Sequence, residues 1–416
     1  MILRLAFGSL MARALTVSIT VLAISLSIAL FLGVEKIRTS AKASFTDTIS
    51  GTDLIVGARS GSVQLLLYSI FRIGNATNNI TWASFQDIAA QQNVDWIVPV
   101  SLGDSHKQFR VMGTTNEFFK RYKYRSKSNL KLQDGAFITD LFDAVIGADV
   151  ATELGYQIGD PIIIAHGLAS FSKHEDQPFR IAGILKKTST PVDRTIIVSL
   201  EAIEAIHVDW KSGAKIPGQS TPNDILRKMD LKPNAITAAL IGTKSRLQVF
   251  GLQRFINEYP KEPLLAILPG VALQELWQIV GVAESALIAI SAMVVVTALI
   301  GMMAMVFSSL NERRREMAIF RAVGAKPSLI LGMLVAEATF VTAIGAILGC
   351  ALLYLGLFAS QSAIDQAFGL WVPINAPTKD EALLIFSVII AGAVISLVPA
   401  IRAYRMSVSD GMIVNV

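Results

Sequence analysis

Four stretches of the chain carry almost no charge: 14–34, 285–310, 327–358 with Glu337 inside it, and 382–401. At about 1.5 Å rise per residue, runs of this length match the roughly 30 Å hydrocarbon layer, so each predicts a membrane-spanning helix. The first run lies between Arg13 and Glu35. A cleavable signal peptide competes with an anchor there, because Ala41-Lys42-Ala43 resembles a processing site. The run is longer than a signal core, and Glu35, Lys36 and Arg38 come before that site, so an uncleaved anchor is expected. Residues 1–13 place apolar side chains at helical spacing with Arg4 and Arg13 toward headgroups, which reads as an interfacial helix or as an extension of the first span.

Between the first and second runs the pattern breaks into short elements. It predicts a helix over Lys36–Ile49, a strand over Thr52–Gly57, a helix over Ser84–Gln91 and a strand over Val94–Pro99. After a long insertion come a strand Ala235–Thr243, a helix Ser245–Glu258 and a strand Pro263–Leu268. Within the insertion, 145–164 reads strand, helix, stop at Gly155, turn at Gly159-Asp160, strand. From Val271 to Leu310 there is no proline and only Gly281 as a weak break, so one helix of about 60 Å is expected, about half of it outside the hydrocarbon layer and beginning with a stalk (271–284). The fold class is an α-helical membrane protein of four spans, with a large α+β extracytoplasmic domain inserted between spans one and two.

Composition agrees with a mixed protein. Of 416 residues, 52% are hydrophobic and 17% charged, which excludes an ordinary soluble enzyme. The net charge of +5 resides beside the spans, in Arg4 and Arg13, in Arg313, Arg314, Arg315, Arg321 and Lys326, and in Arg402 and Arg405. The loop between the last two spans carries Asp365, Asp380 and Glu381 against Lys379. Basic short connections stay cytoplasmic, so both termini and 311–326 are expected inside, with 35–284 and 359–381 outside. No basic tract with interleaved aromatics suggests nucleic acid. The single cysteine, Cys350, permits no intramolecular disulfide, and the outer region of about 250 residues is large enough for its own core.

The connection after the second span reads Glu312-Arg313-Arg314-Arg315-Glu316-Met317-Ala318-Ile319-Phe320-Arg321-Ala322-Val323-Gly324-Ala325. A bare topology signal explains the arginines but not the interleaved Glu312 and Glu316 or the break at Gly324. The order E-R-x-R-E-M-x-x-x-R-A-x-G-A resembles the coupling segment of FtsX-like, MacB-type permeases, the mechanotransmitting (type VII) class of ABC systems. The ending Pro399-Ala400-Ile401-Arg402-Ala403-Tyr404-Arg405 is similar to that family's closing signature, although Val408 stands where a proline usually follows.

The resemblance implies a non-catalytic permease of the bacterial inner membrane, coupled through Glu312, Arg313, Arg315, Glu316, Arg321 and Gly324 to a cytoplasmic ABC ATPase dimer that binds ATP and Mg. It implies a second permease copy or paralogue, a periplasmic protein or lipoprotein partner, and lipid contacts. It also divides the outer domain into a Porter-like part (35–100 and 224–270) and a Sabre-like part (101–223), with a cytoplasmic tail at 402–416. Export or extraction of a lipoprotein, peptide or drug-like substrate is the expected function. The alternative is a signal relay that activates an extracytoplasmic hydrolase or sensor. Met317, Ile319 and Phe320 are expected to pack the coupling helix against the membrane helices.

Further candidates come from local pattern. Ser25, Ala29 and Gly33 lie four apart on the first span and Gly345 and Gly349 on the third; small residues allow close helix approach, between subunits or within one. Family resemblance assigns Ser25, Ala29 and Gly33 to a dimer interface. Glu337 is costly inside an apolar run and needs a partner. The apolar segment 61–74, with Leu66, Leu67, Ile70 and Phe71, reads as a buried core helix or as a substrate or membrane contact. No phosphate loop, paired cysteines or catalytic set occurs, so ATP turnover is expected in another polypeptide. His106, His166, His174 and His207 are scattered, and His174-Glu175-Asp176 reads as a solvated loop, so no metal site is expected.

Overall fold

The computed structural model describes residues 11, 13–49, 51–124, 128–167, 174–211, 214–216, 219–312, 314–368 and 372–405. The chain divides into two units, one of residues 1–40, 281–362 and 372–416, the other of 41–280 with 363–371.

The second unit is α+β and is built on one large mixed sheet. Its strands lie in the order Leu264–Ile267, Leu54–Ala58, Ala238–Thr243, Val94–His106, Phe109–Thr114, Thr195–Ser199, Asp143–Ile146, Phe179–Leu185 and Leu132–Gly135. Neighbours are antiparallel except at two places, where Thr195–Ser199 runs parallel to Phe109–Thr114 and Phe179–Leu185 parallel to Asp143–Ile146. Alternation sorts the side chains by face. Ile55, Val98, Val100, Met112, Val145, Ile197 and Leu240 join one core on one face. Leu54 and Val56 pack under Phe85, Leu252 and Ile256 on the other, while Ile196 and Val198 meet Ala202 and Ile206.

The strand expected over Val94–Pro99 continues to His106. It pairs with Ala238–Thr243 along its first half and with Phe109–Thr114 along its second, with a register irregularity between Leu102 and Ser105. Position 100/101, where the family pattern draws a subdomain boundary, therefore falls inside a strand. Pro99 and Gly103 suggest a stop locally, but pairing with Ala238–Thr243 before them and with Phe109–Thr114 beyond overrides it.

Four helical stretches, Ala14–Thr48, Pro269–Leu310, Pro327–Ile364 and Lys379–Arg405, are long and apolar enough to cross a membrane. The whole helix Pro269–Glu312 has 44 residues, hence about 66 Å of axis. The third helix runs to Phe368, so the start of the segment read as a loop from 359 is helical. Ile24, Ile28, Leu32, Val295, Leu299, Met302, Val341 and Val388 form the shared core of these helices. The last helix begins with a capping box: Thr378 N–H donates to Glu381 Oε2 at 2.9 Å, and Glu381 N–H donates to Thr378 Oγ1 at 3.2 Å.

Candidate functional site

After the second span the backbone forms a short helix, Arg314–Ala322. Arg313 and the side chains of Glu312, Arg315, Glu316 and Phe320 lie outside the described residues. Met317 and Ala318 are buried, and Met317 packs with Val306, Leu310, Ile330, Leu334, Ala400 and Ala403. Ile319 is 62% exposed, which corrects the expectation that it packs inward. Two positions after Met317 it points about 200° round the helix, away from that contact. Arg321 is half-buried, and Gly324 closes the segment at φ +97°, a left-handed conformation that only glycine adopts at little cost.

Ion pairs join the long helices. Arg13 Nη2 donates to Glu337 Oε1 at 2.8 Å, and Glu337 is 4% exposed. The intramembrane carboxylate thus meets an arginine at the mouth of the first span. Lys36 Nζ lies 3.4 Å from Glu381 Oε1, both side chains buried. Arg38 binds Glu35 on its own helix and Glu284 on the second long helix, the latter at 2.7 Å.

Part of the small-residue stripe already serves contacts within the chain, and the assignment of Ser25, Ala29 and Gly33 to a dimer interface stays an expectation from the family resemblance. Ser25 and Ala29 are buried, and the third helix covers the first closely. A Cβ at Gly349 would lie 2.7 Å from the Ser25 carbonyl oxygen and 3.0 Å from Ile28 Cβ; at Gly345 it would meet Ile24, and at Gly33 Leu353. The two stripes that looked like separate contacts are largely two sides of one.

The segment 61–74 is likewise internal. Its helix Ser62–Ser69 buries Leu65 and Leu66, followed by buried Ile70 and Phe71, with Leu67 packed at the edge of the same core. Phe71 stacks on Phe45 at 4.4 Å between ring centroids. The packing is that of the core-helix alternative: Leu66, Ile70 and Phe71 are buried, and Leu67 is partly buried.

The histidines are not scattered in space. His166, His174 and His207 converge with Asp104, while Glu175 and Asp176 of the local cluster are exposed. Burial, followed by the neighbouring His207 and His166, pushes His174 down to about 4, and burial also lowers His207. His106 stands apart, with Nδ1 2.6 Å from the Ile163 carbonyl and Nε2 2.8 Å from the Tyr156 hydroxyl. No spacing in the sequence signals this group, because strand pairing and a helix end bring its members together.

Four spanning helices, a large α+β domain inserted after the first, and a charged helix between the second and third define a membrane permease. Residues 16–222 match the MacB-like periplasmic core domain, and residues 288–408 match the C-terminal domain of FtsX-like permeases. Together they take in most of the chain, which belongs to the FtsX-like, MacB-type ABC transporter permeases. It is 24% identical over 97% of its length to a macrolide export ATP-binding/permease protein MacB of Nitrobacter winogradskyi, and covers 58% of that relative. Over 27% of its length it is 33% identical to an uncharacterized ABC transporter permease, YvrN, of Bacillus subtilis, of which it covers 26%. The chain thus spans less than two thirds of either relative. The periplasmic region of MacB from Actinobacillus actinomycetemcomitans superposes with a TM-score of 0.34 at 10% identity, covering 56% of this chain and 97% of that one.

Proposed function

We propose that the chain is the membrane subunit of an ABC system, in which ATP hydrolysis by a cytoplasmic ATPase dimer drives movement of the periplasmic domain. That movement exports or extracts a lipoprotein, peptide or drug-like molecule from the outer side of the inner membrane. The observation that carries this reading is the match of residues 16–222 to the MacB-like periplasmic core domain and of residues 288–408, which include the charged coupling segment, to FtsX-like permeases. Arg38, bound to Glu284, ties the helix Pro269–Glu312 to the first one. The relative named for macrolide export supports export over signal relay. The permease works as a dimer with a second copy or a paralogue, both termini in the cytoplasm.

The ATPase contact is tested by reversing charge in the coupling segment. A desolvated charge pair at a partner interface is worth about 2–5 kcal/mol, whereas an exposed pair within the chain contributes about 0–1 kcal/mol. Glu316→Lys and Arg321→Glu are expected to insert and fold normally but to lose co-purification of the ATPase by more than about tenfold. Full partner binding and activity in both variants would reduce the segment to a topology signal.

A further inference from the structure

Four donor side chains that lie far apart in sequence meet in the α+β unit. Antiparallel pairing sets His166 directly opposite Asp104. The helix Leu200–His207, capped at its start by the Ser199 side chain, ends with His207 beside them. The backbone N–H of His174 donates to the Ile164 carbonyl at 2.9 Å, which returns that residue to the same place. Trp210 packs on His174 and His166, with ring centroids 4.4 and 5.0 Å away.

The distances are those of a coordination shell. His166 Nδ1 lies 3.2 Å from Asp104 Oδ1, His207 Nε2 lies 3.4 Å from His166 Nδ1, and His207 Nε2 lies 4.0 Å from Asp104 Oδ1. One donor atom from each of the four residues falls within 4.8 Å of all the others. Tetrahedral zinc with bonds of about 2.0–2.1 Å separates its ligand atoms by about 3.3 Å, so small side-chain adjustments complete the shell.

Two further observations point to a ligand. His174 is 2% exposed, and neither of its ring nitrogens has a hydrogen-bond partner among the described residues. A buried imidazole left so is destabilising unless a further group engages it. His207 Nδ1 lies 2.6 Å from the Ile203 carbonyl oxygen. That bond fixes the N–H on Nδ1 and turns the Nε2 lone pair toward the cluster, the second-sphere arrangement typical of a metal-binding histidine.

We propose that Asp104, His166, His174 and His207 bind one divalent transition-metal ion, zinc, through three imidazole nitrogens and one carboxylate oxygen. Three nitrogens disfavour calcium and magnesium, which take oxygen shells, and the absence of thiolate from the set disfavours copper(I). With all four positions supplied by the protein, the ion holds structure instead of activating water. It pins the segment around His166 and His174 and the end of the Leu200–His207 helix to the long strand.

The test uses the full chain in nanodiscs, stripped with a chelator and resupplied with zinc. One zinc per chain is expected by elemental analysis, and X-ray absorption at the zinc edge should give a shell of nitrogen and oxygen at about 2.0 Å with imidazole scattering. Wild type that retains no stoichiometric zinc, or zinc in a shell without imidazole, overturns the proposal without reference to any variant. His174→Ala and Asp104→Ala should each weaken zinc binding more than tenfold, while His106→Gln, outside the cluster, should leave it unchanged. Zinc should also raise the protease resistance of wild type but not of His174→Ala. Wild-type affinity in both cluster variants overturns the assignment of ligands.

Discussion

Gly349 illustrates how a single position determines helix approach in this molecule. It faces the first long helix so closely that a methyl group would press on the Ser25 carbonyl oxygen and on Ile28. Backbone cannot yield as a flexible side-chain tip does, so the helices must move apart, at about 1–3 kcal/mol for such overpacking. Gly349→Ala should therefore lower the melting temperature of the purified permease, whereas Gly356→Ala on the same helix, with open space around it, should not. Equal melting for the two would remove the close contact. The spacing of Gly345 and Gly349, and of Ser25 and Ala29, was legible in the sequence as a packing signal. Its partner was not, since small residues serve contacts within and between subunits by the same physics. Glu337 is similar: its burial was readable from the apolar run, but its ion pair with Arg13 requires knowing which helices are neighbours.

At the scale of elements, apolar length was a dependable guide and local stop signals were not. The long helices follow from uninterrupted apolar runs, yet the third continues to Phe368 because nothing in that stretch breaks a helix. The long strand passes Pro99 because Ala238–Thr243 pairs with it as far as Val100, where Phe109–Thr114 takes over on the other edge. The last helix shows how an element end is fixed. Glu381 accepts from the Thr378 N–H in the capping box and also faces buried Lys36. Removing it forfeits a cap worth about 1 kcal/mol and strands a buried ammonium, a loss of about 3–5 kcal/mol where such a pair is broken on one side. Glu381→Ala should consequently destabilise the permease strongly in a thermal melt, and Asp380→Ala, at an exposed neighbouring position, hardly at all. Combining Glu381→Leu with Lys36→Met should recover much of the loss, because an apolar pair leaves no uncompensated charge. Failure of that rescue would assign the effect to the cap alone.

For the whole molecule, the layout of one span, a large inserted domain and three closely spaced spans could be read from charge-free runs and the coupling motif. The convergence of Asp104, His166, His174 and His207 could not, because it depends on strand register and a helix end within the inserted domain. Direction across the membrane rests on a different physical argument. Arg313, Arg314, Arg315, Arg321 and Lys326 crowd one short connection, while the ends of the last two helices that face their shared connection carry Asp365, Asp380 and Glu381 against Lys379. Short basic loops are retained on the cytoplasmic side, so the α+β domain should face outward. In a chain whose Cys350 is replaced by alanine, a cysteine at Ser220, exposed on that domain, should react with a membrane-impermeant maleimide in spheroplasts. A cysteine at Ser328, exposed at the start of the third helix, should react only after the membrane is opened. Labelling of Ser328→Cys from outside with Ser220→Cys protected would invert the map. The coupling segment would then lie on the wrong side to meet a cytoplasmic ATPase, and the proposed mechanism would fall with the topology.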